Sequence, residues 1–241
     1  MPVGKPRKKW PLAVTALAVT TLALIAGVAW AFPSVASTTC PACYGMESLA
    51  PGVHAESGLP ADRKRQVVET VELANERVTA FYGGRKTSPS VLACLSDDCY
   101  RRIGGGGERG VAVLNRAVML SPRGVDPVIA SHELSHVELH ARLGDAQVPQ
   151  WFDEGLAVVV SDDPRNLAPK TTPDRCLKEP DAPLPTTLDA WLRTATADPT
   201  LYAKAACKVT RWLQSNGGPP ALHSLTARLS QGTPFNTLIH P

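Results

Sequence analysis

The chain has almost no excess of charge of either sign: 25 Lys and Arg against 22 Asp and Glu leave +3 at pH 7. Lys5, Arg7, Lys8 and Lys9 account for more than all of that excess, and setting those four aside leaves −1 for the remainder. No electrostatic case for a nucleic-acid partner exists. A phosphate loop is missing as well. Residues 104–107 are four glycines, but no Lys-Ser/Thr follows and the next stretch reads as a strand, so the run is a turn or a rim over a cleft. Charge is also absent from residues 12–32. At about 1.5 Å per helical residue such a run reaches about 30 Å and spans a bilayer, with the basic flank kept on the cytoplasmic side. The Ala29-Trp30-Ala31 sequence offers the alternative of a cleaved signal peptide, yet the run exceeds the usual apolar core of such peptides. The expected location is therefore the cell membrane, single-pass, with the folded part outside, or secreted or periplasmic if cleavage occurs.

What is present fits that compartment. Six cysteines in an exported chain read as disulfides. The expected pairs are Cys94 with Cys99 across a short loop, Cys176 with Cys207 tying a proline-rich stretch to a late helix, and Cys40 with Cys43. The Cys-Pro-Ala-Cys sequence imitates a thiol oxidoreductase motif, which requires a helix opening at the first cysteine within a βαβ unit. Gly45, Pro51 and Gly52 follow instead, which favours a structural disulfide and leaves an exported oxidoreductase as the lesser alternative.

The organisation expected along the chain is a basic tail (1–11), a membrane-spanning anchor (12–32), a juxtamembrane linker (33–52) and one folded domain (53–241). Val67, Val71, Ala74, Val78 and Phe81 recur at helical spacing over 60–81, and Gly83-Gly84 stops that run. Residues 52–56, 90–95 and 110–120 read as β, the last as a candidate for one long strand. Six prolines and Asp162-Asp163 make 162–186 irregular, held by Cys176. Two helices close the chain, one after Asp198-Pro199 with Tyr202, Ala206, Val209 and Leu213 inward, the other after Pro219-Pro220 with Leu222, Leu225 and Leu229 inward. Gly217 and Gly232 end them.

The most informative stretch is His132-Glu133-Leu134-Ser135-His136. Two imidazoles four residues apart on a helix share a face and suit one zinc ion, with the intervening carboxylate beside it. The helix is supported by its surroundings: Asp126-Pro127 is an N-cap followed by a proline at the first helical position, and Gly144 ends the run. A third ligand is available at Glu154 in Trp151-Phe152-Asp153-Glu154-Gly155-Leu156-Ala157, on a second, antiparallel helix opened by Pro149. Gly155 and Ala157 are expected to let these two helices approach closely. His140, one turn past the motif, is expected beside the site or on the surface rather than on the metal.

HELSH followed by PQWFDEGLA resembles the gluzincin metallopeptidases, in particular the peptidase MA-like proteins, with an HExxH and a downstream W-x-x-E-G-L-A. The resemblance is strongest over 126–160 and weaker over 200–232. It implies an α+β zincin-like domain, a small mixed sheet packed on helices with the HExxH helix in the active site and a helical C-terminal half, preceded by the transmembrane helix. It implies Zn2+ on His132, His136 and Glu154, Glu133 as general base, and a peptide or protein substrate lying along an edge strand, for which 110–115 is the candidate. Gluzincins often place a tyrosine or histidine opposite the metal to stabilise the oxyanion. Tyr202 is the candidate here, and His223 a poorer one. No Gly-Ala-Met-Glu-Asn segment is present, so aminopeptidase activity is not implied. Val158 stands where thermolysin-like enzymes carry an Asp, so the carboxylate orienting a ligand histidine is left between Asp153 and Asp162. The alternatives are a catalytically inactive zinc-binding domain and a purely structural one.

Overall fold

The computed structural model describes Val14, Gly27 and residues 31–239. The basic tail (1–11) and nearly all of the expected span (12–32) lie outside the described residues. Among those described, no helix is long and apolar enough to cross a membrane. The described chain is mixed α+β, with a five-stranded mixed sheet and nine α-helices.

The sheet consists of β1 (Met46–Ala50), β2 (Val53–Glu56), β3 (Ser90–Ala93), β4 (Gly110–Val113) and β5 (Ala117–Leu120), in the order β1-β2-β3-β5-β4. The outer pairs β1/β2 and β4/β5 are antiparallel, while β2, β3 and β5 run parallel. Parallel neighbours need a crossover, and between β2 and β3 it is the helix α2 (Ala61–Tyr82). Alternation along β3 divides the core: Val91 and Ala93 join α2 and the later helices in one cluster, while Leu92 and Cys94 face a smaller cluster with Met46, Ile103 and Met119. A strand buried on both faces reads as a continuous apolar run, as Val91-Leu92-Ala93 does.

Two sequence expectations change here. Residues 33–52, expected as a linker, carry α1 (Pro33–Thr39), a 3-10 turn (Pro41–Tyr44) and the edge strand β1, so the sheet begins before residue 53. Ser37 Oγ donates to the Ile103 carbonyl at 3.0 Å, fastening α1 to the folded body. Residues 110–120 are not one strand but a hairpin, reversing at Leu114 and Asn115 with φ of 49° and 52°. Asn accepts that left-handed conformation readily and Leu does not, so no turn signature announced it. The glycine run at 104–107 is braced: Tyr100 Oη donates to Glu108 Oε1 at 2.9 Å, and the same oxygen accepts from Gly106 N at 2.8 Å.

The helical half begins with α4 (Pro127–Leu143) and α5 (Gln150–Ser161), α3 being the short Asp97–Arg102. Then come α6 (Leu188–Ala197), α7 (Leu201–Ser215), α8 (Pro220–Ser230) and the short α9 (Phe235–Leu238). Residues 162–186 hold no helix, and one antiparallel bridge, Leu167 to Cys176, folds them back. All three disulfides pair as the sequence leads one to expect: Cys40–Cys43, Cys94–Cys99 and Cys176–Cys207. Cys40 follows α1 and precedes a 3-10 turn, with no strand leading into it.

Candidate metal centre

The α4 helix starts where Asp126 accepts from the amide of Val128 at 2.8 Å, with Pro127 in the first turn, where its missing N–H costs nothing. It ends at Gly144, whose φ of 61° favours a residue without Cβ. Four-residue spacing then puts His132 and His136 side by side, their rings edge to face with centroids 4.9 Å apart. The α5 helix follows Pro149, and its first amides are satisfied from the proline-rich segment, Gln150 N by the Thr186 carbonyl at 3.0 Å and Trp151 N by the Pro185 carbonyl at 3.1 Å.

These two helices bring Glu154 onto the histidine pair. Its Oε2 lies 3.2 Å from His132 Nε2 and 3.7 Å from His136 Nε2. One ligand atom from each of the three residues falls within 4.8 Å of the others, a group that can hold a metal ion. Two imidazole nitrogens and one carboxylate oxygen form the donor set that catalytic zinc sites use while keeping a position open. The other oxygen of Glu154 is also held, since Gln150 Nε2 donates to Oε1 at 3.1 Å. Gln150 escaped the sequence reading. Its only signal was the i, i+4 spacing to Glu154.

Of the two candidate carboxylates, Asp153 meets a histidine and Asp162 does not. Asp153 Oδ1 accepts from His136 Nδ1 at 2.6 Å and Oδ2 from His140 Nε2 at 2.7 Å. Asp162 caps the other end of α5 and pairs with Lys170 and Arg175. Burial alone would lower the His136 imidazole, but the charge and hydrogen bond of Asp153 override it and push the group up to about 10. Burial likewise opposes ionisation of Asp153, and His136 with His140 outweighs it, holding the carboxyl well below its usual range. Glu154 is also held low against burial, by the hydrogen bond from His132 and the charges of both histidines.

Glu133 lies between α4 and the sheet edge. Burial raises its carboxyl above the ordinary range despite the nearby histidines, and the backbone amide of Ala112 on β4 donates to it. This close approach depends on Gly110: a Cβ there would sit 2.8 Å from Glu133 Cγ and 3.1 Å from Ile129 Cγ2. The candidate edge strand therefore runs beside the motif, as the last strand of the sheet.

Tyr202 on α7 reaches the same place. Its ring centroid is 6.2 Å from that of His132 and 5.1 Å from the buried Trp191 of α6. Burial and the carboxylate of Glu154 push its phenol up to about 12, so it is a neutral donor at physiological pH. His223 is elsewhere, its Nε2 donating to the Tyr82 carbonyl at 2.8 Å. Gly155 serves a different contact from the one expected: a Cβ would lie 2.6 Å from the Ala205 carbonyl oxygen, so the glycine lets α5 meet α7 rather than α4. Two surface hollows, of about 520 and 510 Å3, share no residue with this cluster. Compared with known proteins, the chain matches no protein-family model, no characterised protein and no solved structure.

Proposed function

We propose that this chain is a membrane-anchored zinc peptidase of the gluzincin type, with His132, His136 and Glu154 as ligands and Glu133 as general base. The convergence of those three side chains from two antiparallel helices carries the reading. Bound zinc would supply a Lewis acid for a peptide carbonyl and a lowered pKa for attacking water. Glu133, its carboxyl raised by burial, is suited to accept a proton from that water and pass it to the leaving amine as the C–N bond breaks. Tyr202, neutral and beside His132, is suited to donate to the oxyanion. The outer margin of β4, where the Ala112 amide meets Glu133, is where an extended substrate backbone would lie. Residues 12–32 would hold the protein in the membrane with this domain outside.

The test is cleavage of proteome-derived peptides by the full-length chain, alongside its zinc content. Glu133→Gln is expected to lower turnover by about 100- to 10,000-fold while zinc stays bound. Undiminished cleavage by that variant would refute the assigned base. Zinc bound without cleavage by the unaltered chain would instead identify an inactive zinc-binding domain.

A further inference from the structure

We infer that His140 and Asp153 form a positioning pair that fixes His136 as a metal ligand, an inference that rests on the zinc reading proposed above. Histidines at 132, 136 and 140 are each four residues apart and lie along one face of α4. The first two turn Nε2 toward Glu154. His140 turns its Nε2 to Asp153 instead.

Asp153 is 7% exposed, and among the described residues its two carboxylate oxygens are taken by two imidazole N–H groups, one from each of these histidines. With the Nδ1 proton held by Asp153, it is Nε2 that would release its proton and offer a lone pair to a metal. One such bond would still let the carboxylate plane turn. The second, from one turn further along the same helix, removes that freedom, because both anchors belong to one rigid element. Consecutive residues of α5 thus divide the work: Asp153 orients a histidine and Glu154 joins it at the metal. His140 touches neither metal nor substrate and acts through Asp153.

The experiment measures zinc affinity of the full-length chain by chelator competition, together with the visible absorption of its cobalt(II) form, for Asp153→Ala, Asp153→Asn, His140→Ala, His140→Gln and the double alanine variant. Asp153→Ala is expected to weaken zinc binding by about 10- to 100-fold. His140→Ala should weaken it by a smaller factor and alter the cobalt spectrum in the same sense. His140→Gln, whose amide can donate to Oδ2, should recover most of the loss. The double variant should bind no worse than Asp153→Ala, since His140 has no route to the metal once Asp153 is gone. Melting of each metal-free variant separates lost affinity from lost folding, and the isosteric Asp153→Asn carries the test if the alanine variant does not fold. Wild-type affinity and spectrum in both single alanine variants, or losses that simply multiply in the double variant, would overturn the inference while leaving the zinc reading intact. No zinc bound by the unaltered chain would overturn both.

Discussion

Two buried carboxylate clusters flank the α4 helix, and they differ in how their oxygens are used. Glu138, with a fully buried side chain, accepts from Lys86 N at 2.8 Å, from Thr87 N and Oγ1 at 3.2 and 2.8 Å, and from Arg142 Nε at 2.9 Å. Its lone pairs are saturated by a loop and by its own helix, so it fastens the 85–87 segment and has no capacity for a ligand. Glu154, one helix away, directs one oxygen at two imidazole nitrogens and has the other held by Gln150. Burial of a carboxylate is therefore not the mark of a site. The mark is convergence of several ligand atoms, each able to offer a lone pair, on one point.

That contrast can be broken by removing each carboxylate in turn. Glu138→Ala leaves Arg142 and Arg85 facing an unpaired interior, and loss of one member of such a buried pair costs about 3–5 kcal/mol. Denaturant unfolding should show it with or without zinc. A loss of the same size from Glu154→Ala in the metal-free protein would erase the distinction.

Zinc sharpens the contrast next. At free zinc about 1,000-fold above its dissociation constant, the folded state gains about 4 kcal/mol. Thermal melts should show that gain in the unaltered chain and keep it in a Glu138→Gln variant that still folds. Glu154→Ala should lose it. Equal gains in all three would place the metal elsewhere.

A smaller effect is expected at Gly155. An added methyl meets the Ala205 carbonyl oxygen and Val209, and overpacking of this kind costs about 1–3 kcal/mol. Because the displaced helix is α5, Gly155→Ala should also weaken zinc binding. Amide exchange at Lys86 and Thr87, bonded to Glu138, should stay as slow as before, and faster exchange there would mean that the two clusters are not independent.

Much of the candidate site was legible because its chemistry is local. HELSH needs only a helix, and Asp126, Pro127 and Gly144 mark that helix on both sides. Glu154 followed from one short connection and one proline. The six cysteines paired as expected, since two of the loops are short and the third ties a proline-rich stretch to a helix.

What was hidden depended on long-range register. Asp153 and Asp162 both belong to the α5 neighbourhood, and only the packing of α5 on α4 decides which meets His136. Gly155 announces a close approach without saying to which helix. β1 is five residues at a sheet edge, its middle pointing partly to solvent, so its alternation is too brief to separate from a linker. The hairpin at Leu114 places an apolar residue where turn chemistry favours Gly or Asn. The α6 helix, which brings Trp191 against Tyr202, also went unread, although Thr187 caps it by accepting from Ala190 N.

The most direct measurement of the central claim is zinc content of the full-length chain after loading and dialysis against a weak chelator. Equimolar zinc in the unaltered protein and in Glu133→Gln, with none retained by Glu154→Ala, is the predicted result. Equimolar zinc that survives Glu154→Ala would contradict it.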